Sequence, residues 1–216
     1  MRPSPAELRE QLRHVYWIGG ASGAGKSTIA RHLAARHGLH NYATDDAMPE
    51  HARRSTPEES PYLSEFIAMD MDQRWLTRSP QTMLETFHWY RGEGFGLIVE
   101  DLLGLPSEPG VVVEGFRLLP QLVQPLLAEP AHAVWLLPSP GFRRAAFDSR
   151  GSTWKIAGQT SDPPRALDNL LTRDHMFTER LRRETRGLGA PTIEVDTHTT
   201  EDDLIEQVSK AFGLQT

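Results

Sequence analysis

The chain has 216 residues, enough for one well-buried core and short for two independent domains. Hydrophobic residues at 38% and charged residues at 24% exclude a disordered or fibrous chain. A net charge of −6, with a pI near 5.8, argues against a protein that holds nucleic acid by its phosphates, and the absence of cysteine excludes disulfides, thiolate metal sites and thiol catalysis.

Residues 1–13 alternate charge and proline without an apolar run, and no later stretch approaches about 18 apolar residues. Neither a secretion signal nor a membrane span is visible, so cytoplasm is the expected compartment. His14 to Ile18 reads as a strand, followed at once by a glycine-rich turn and a helix over Lys26 to His37. A short apolar run around Tyr42 predicts a second strand. Met48 to Leu105 is long and aromatic, and predicts several helices. Val111 to Val113 is a β-branched run suited to a strand buried on both faces, and Ala133 to Leu137 is another, ended by Pro138. The arginine-rich stretch Gly141 to Gly187 predicts helices flanking a loop at Gly151 to Pro164. Thr192 to Val195 is a fifth strand and Glu201 to Phe212 a closing amphipathic helix. Alternating strands and helices predict an α/β fold with a parallel sheet covered by helices. The expectation is a single domain over 1–216, with 46–105 as a helical substrate-binding insertion and 141–187 as a lid. Both would lie over the carboxyl ends of the strands, where ligands bind in such folds.

Gly20 to Ser27 spells G-x-x-x-x-G-K-S between the first strand and the first long helix, the context the phosphate-binding P-loop requires. The cofactor-binding expectation therefore covers Gly20, Ala21, Ser22, Gly23, Ala24, Gly25, Lys26, Ser27 and Thr28. Glycines let successive backbone N–H groups face one anion, and the helix N-terminus adds its positive end. In this role Lys26 reaches the β- and γ-phosphates of ATP and the Ser27 hydroxyl holds Mg2+. The chain has no N-K-x-D tetrapeptide, which argues against a guanine-specific switch, and no room for a motor ATPase. A small kinase remains.

Three further segments resemble a known group of enzymes. Thr44-Asp45-Asp46 resembles the acidic position after the second strand of shikimate-kinase-like, zeta-toxin-like and chloramphenicol-phosphotransferase-like kinases. Val113-Glu114-Gly115-Phe116-Arg117 is similar to the D-G-F-P-R segment of adenylate kinases, with Glu for Asp and no proline. Phe142-Arg143-Arg144, and Arg173-Asp174 leading to Arg180, resemble the arginines that bracket the lid of these enzymes. The resemblance implies a three-layer P-loop fold with five parallel strands in the order 2-3-1-4-5. It places an acceptor between the second-strand acid and the inserted helices.

Each candidate residue has a chemical reason. Asp45 is the expected general base toward a hydroxyl acceptor, with a helix cap as the alternative for the Asp45-Asp46 pair. A nucleoside monophosphate brings its own anionic nucleophile, and two carboxylates would repel it, so the pair favours a hydroxyl acceptor. Glu114 ends a buried strand and could orient Mg2+ through water, bind an acceptor hydroxyl or make a structural hydrogen bond. Arg143, Arg144, Arg150 and Arg173 could neutralise the transferring phosphoryl group, with Arg143 and Arg173 favoured by the lid pattern. Arg180, Arg182, Arg183 and Arg186 are expected in surface ion pairs. Arg74, Arg78 and Arg117, with Asp45, Asp46 and Glu114, are the expected acceptor-binding set. Trp75, Trp89 and Tyr90 could stack on a ring, although aromatics at helical spacing more often form core. His88, His132 and His175 show no metal spacing and take no role. The expected function is ATP-dependent phosphorylation of a small-molecule hydroxyl, with no membrane or nucleic-acid partner. The alternatives are a nucleoside monophosphate kinase or a non-kinase P-loop ATP-binding regulator. The acceptor's identity and the oligomeric state are not written in the sequence.

Overall fold

The computed structural model describes residues 3–150 and 152–214, with side chains described outside 146–154. Five strands form one all-parallel sheet in the order β2-β3-β1-β4-β5. They are β1 (Val15–Gly20), β2 (His40–Ala43), β3 (Val111–Glu114), β4 (Ala133–Pro138) and β5 (Thr192–Val195). The order follows from composition: β3 and β4, buried along their whole length, flank β1 in the centre, while β2 and β5 keep partly exposed residues and take the edges.

The helices are α1 (Pro5–Gln11), α2 (Lys26–His37), α3 (Met48–Arg54), α4 (Pro61–Ala68), α5 (Met71–Trp75), α6 (Pro80–Thr86), α7 (Phe95–Gly104), α8 (Pro120–Val123), α9 (Pro140–Arg150), α10 (Ser152–Ala157), α11 (Pro163–Leu188) and α12 (Glu201–Ala211). Local signals set their ends. Asp70 and Gln73 form a reciprocal capping box at α5, Thr200 and Asp203 another at α12, and Gly189 in a left-handed conformation stops α11. The segment 151–164, expected to be a loop, contains the helix α10, which docks on α11. Ala157 on its inner side is fully buried, so tertiary packing fixes a turn too short to be stable alone.

The core has three parts. On one face of the sheet, Ile18, Val112, Val134 and Leu136 pack against Ile29 and Leu33 of α2 and Leu204 and Val208 of α12. On the other, Trp17, Val113 and Trp135 meet Ile98 and Leu102 of α7. The third cluster joins Trp75, Leu84, Phe87 and Tyr90 to Leu170, Phe177 and Leu181 of α11, and touches the sheet through Ala21 and Leu137. This aromatic cluster carries the helices of 46–105 and of 141–187 to the carboxyl ends of the strands. Among the described residues, no helix is long and apolar enough to cross a membrane.

Candidate active site

The carboxyl ends of β1, β2 and β3 deliver the chemistry-bearing residues to one place. β1 runs out at Gly20, where φ is +128° and an added Cβ would lie 2.2 Å from the Leu136 carbonyl oxygen. No side chain fits against β4 there, so the chain can turn into the glycine-rich loop only with glycine. Residues 21–25 complete the loop, and α2 starts at Lys26 with its first amides directed back toward it. The Lys26 ammonium donates to the Ala21 carbonyl at 2.8 Å and is buried in the loop.

Glu114, at the end of β3, is buried beside the Ser27 hydroxyl, which favours its charged form. Burial raises its pKa; Lys26 and Ser27 oppose that rise, and the neighbouring charges of Asp45 and Asp46 add to it. The next residue, Gly115, has φ +153°, and a Cβ there would meet Thr44 Oγ1 at 1.8 Å. This close approach locks β3 to the end of β2, where the Thr44 N–H donates to the Glu114 carbonyl at 2.9 Å. Asp45 follows Thr44 in a turn. Its carboxylate keeps accessible surface because it opens into a cavity, yet the walls crowd it; burial raises its pKa, against the pull of Lys26 and Arg117. It is not a helix cap: the capping position of α3 is Ala47, without a side-chain cap.

The cavity has a volume of about 390 Å³ and is lined by Ser22 to Ser27 at one end, by Asp45 and Glu114 between, and by an aromatic wall at the other. The wall includes Phe66, Trp75, Phe87, Trp89, Tyr90 and Phe116, fixed by edge-to-face contacts such as Phe87 against Tyr90 at 4.8 Å and Phe66 against Trp75 at 5.2 Å. Arg173 and Asp174 close that end. The Arg173 guanidinium donates to Asp174 at 2.6 Å and lies 5.0 Å from the Phe87 ring and 5.2 Å from the Trp75 ring. Burial works against its charge, but Asp174 and Tyr90 outweigh burial and raise its pKa. His88 also lines the wall; burial, reinforced by Arg117 and Arg74, lowers its pKa to about 3, and it is neutral. A larger open groove of about 1020 Å³ between α2 and α12 shares no residue with the glycine-rich loop.

The other predicted residues are placed elsewhere. Asp46 is exposed and does not line the cavity. Arg74 donates to the carbonyls of Phe66 and Ile67 at 2.9 and 2.8 Å, and Arg78 to Thr86 Oγ1 at 2.8 Å, so both guanidinium groups fasten helices together. Arg143 is buried against Thr178, behind the wall rather than in it. Arg144 is exposed, and the side chain of Arg150 lies outside the described residues. Arg180 pairs with Glu184 at 2.7 Å along α11, and Arg182 pairs with Glu194 of β5 at 2.6 Å.

Arg117 stands behind Asp45. Its Nη1 donates to His51 Nδ1 at 2.9 Å, its Nη2 to the Gly94 carbonyl at 3.0 Å, and its plane covers the Trp89 ring at 4.1 Å. Burial brings its pKa down to about 10. Because His51 Nδ1 accepts from Arg117, its Nε2 carries the proton and donates to Asp101 at 2.8 Å. Asp101 also accepts from the Tyr42 hydroxyl at 2.6 Å and from Arg54 at 3.0 Å. Nothing in the sequence joins residues 42, 51, 101 and 117; only the fold does.

Hard oxygen donors suit Mg2+, and Ser27 and Glu114 present such oxygens side by side beside the loop. Among the described residues no group of three or more His, Asp or Glu forms a metal site by itself.

No family model matches the chain. It is similar to a 2-phosphoglycerate kinase of Methanopyrus kandleri (strain AV19), with 28% identity over 172 residues, covering 77% of this chain and 49% of that protein. The chain thus spans about half the length of this curated relative. The structure of an uncharacterized protein from Eubacterium ventriosum ATCC 27560 aligns over 94% of this chain and 99% of its own with a TM-score of 0.47 and 14% identity. The kinase relative and the 2-3-1-4-5 parallel sheet together support a kinase-like P-loop fold.

Proposed function

We propose that the chain is an ATP-dependent kinase that phosphorylates a hydroxyl group of a small molecule. The observation that carries this reading is one cavity lined by both the glycine-rich loop and Asp45, so a phosphoryl group and an acceptor could share a single cleft. The kinase relative supports the same class of reaction. Backbone amides of the loop and Lys26 bind the β- and γ-phosphates and stabilise the charge on the leaving oxygen. Asp45, made more basic by its crowded surroundings, takes the hydroxyl proton as the acceptor oxygen bonds to the γ-phosphorus. The bond to the β-phosphate oxygen breaks, and its electron pair leaves with ADP. Ser27 and Glu114 would hold Mg2+, which supplies charge neutralisation at the phosphates. Arg173 closes the acceptor end, and 141–187 serves as the lid that excludes water.

The test is phosphoryl transfer from labelled ATP to a library of hydroxyl compounds, with products identified by mass. A phosphorylated product that disappears in Lys26→Ala, while that variant keeps its circular dichroism, is the expected result. Slow hydrolysis of ATP that ignores every added compound would instead describe a regulator, and near wild-type turnover by Lys26→Ala would remove the P-loop from the reaction.

A further inference from the structure

Resting on that reading, we infer that the acceptor is an alcohol carrying a flat aromatic ring and no anionic group, held with its ring against the aromatic wall and its hydroxyl toward Asp45. Charge and shape at the acceptor end both point this way. Among the described residues, the cationic groups lining the cavity are Lys26, committed to the phosphate end, and Arg173, whose Nε and Nη2 are held by Asp174, at 2.6 Å for Nη2, and whose buried Nη1 alone lacks a partner. Asp174 is neutralised in that pair, which leaves the carboxylates of Asp45 and Glu114 facing Lys26. Among the described residues, four other arginines that could serve a phosphorylated or carboxylated acceptor are held elsewhere: Arg74 and Arg78 grip helix carbonyls and Thr86, Arg117 grips His51 and Gly94, and Arg143 packs on Thr178. His88, the remaining basic group on the wall, stays neutral at physiological pH. A polyanion would enter against like charge without a bidentate partner, which costs far more in a walled cavity than in water.

The wall itself offers something to a ring. Phe66 and Phe116 keep part of their surface open, whereas Trp75, Phe87, Trp89 and Tyr90 are buried behind or beside them, so apolar area remains to be covered within a rigid frame of rings. Rings fixed by edge-to-face packing lose no further freedom when another ring joins them. The cavity volume of about 390 Å³ is that of a small-ligand site, with apolar walls and a few placed polar groups. On these grounds the acceptor differs in class from the substrate in the relative's name, which is a phosphorylated acid.

Trp75 and Trp89 line the cavity and report on its contents, so binding is read by tryptophan fluorescence and by calorimetry on the intact protein without nucleotide. The probes are adenosine, thymidine and 1-phenyl-1,3-propanediol on one side, and 2-phosphoglycerate, glycerate and shikimate on the other. We expect saturable binding of at least one aromatic alcohol, weakened about tenfold or more by Phe66→Ala or by the milder Phe116→Leu, and no saturation by the acids over the same range. Failure of every aromatic alcohol to bind, equal or tighter binding of an acid, or indifference of both variants would each overturn the assignment. ATP binding measured on the same protein judges the kinase reading separately. Aromatic binding without ATP binding would sink the kinase and leave the ring site, and the converse would sink the ring site alone.

Discussion

Asp45 and Asp46 are adjacent, and only their placement separates them. Asp45 lines the cavity beside Glu114, and Asp46 faces solvent. Asp45→Asn keeps the shape and removes the proton acceptor, so kcat should fall about a hundredfold or more with ATP affinity within about twofold, while Asp46→Asn stays within a few-fold of wild type. Steady-state kinetics on the acceptor, with a separate ATP titration, checks this; the reverse ranking would move the base by one residue. His88 makes a second prediction. Its pKa is about 3 in the fold and about 6.5 in an unfolded chain, so the unfolded state binds more protons between those values and stability falls as pH drops through that window. Each unit of pH should cost on the order of 1 kcal/mol at this site. Denaturant titrations between pH 6 and pH 4 should show wild type losing stability more steeply than His88→Phe by that amount, and parallel curves would show that His88 titrates as if exposed.

At the scale of the element, the junction of β2 and β3 sets the geometry of the two site carboxylates. A Cβ on Gly115 would meet Thr44 Oγ1 at 1.8 Å, at a φ of +153° that L side chains rarely adopt. Gly115→Ala should therefore destabilise the protein by about 2 kcal/mol or more and lower activity as Asp45 and Glu114 separate. Thr44→Ala added to it removes the colliding oxygen and should restore part of the stability, leaving the backbone strain behind. A double-mutant cycle in denaturant measures this coupling, and strict additivity would show that the two residues do not press on each other. The glycine was visible in the sequence within the segment Val113 to Arg117, but its collision partner was not, because Thr44 is brought there by strand pairing.

For the whole molecule, the aromatic cluster is the joint between the sheet and the helices above it. α11 carries Leu170, Arg173 and Asp174 to the cavity and ties to β5 through Arg182 and Glu194. Our proposal of a lid over 141–187 predicts that this segment exchanges amide hydrogens faster without nucleotide than with ATP, by at least several-fold in peptides that include Arg173. Hydrogen exchange followed by mass spectrometry is the check, and equal rates in the two states would remove the lid.

The sequence by itself determined the strands of the sheet and the glycine-rich turn that leads from β1 into α2. β-branched runs at 111 and 133, the G-x-x-x-x-G-K-S spacing and the helix from Lys26 to His37 are local signals, since strand burial, loop curvature and helix periodicity each depend on residues a few positions apart. α10 escaped that reading because its stability comes from docking on α11 rather than from its own six residues. The division of the arginines was also beyond it. Arg74, Arg78, Arg117, Arg143 and Arg173 look alike in a chain, and each could face a phosphate. Which of them faces the cavity is settled by long-range contacts, with Arg117 on His51 and Arg143 on Thr178, and only Arg173 on the wall. A guanidinium's role depends on what surrounds it, and in a folded protein those surroundings come from residues tens of positions away.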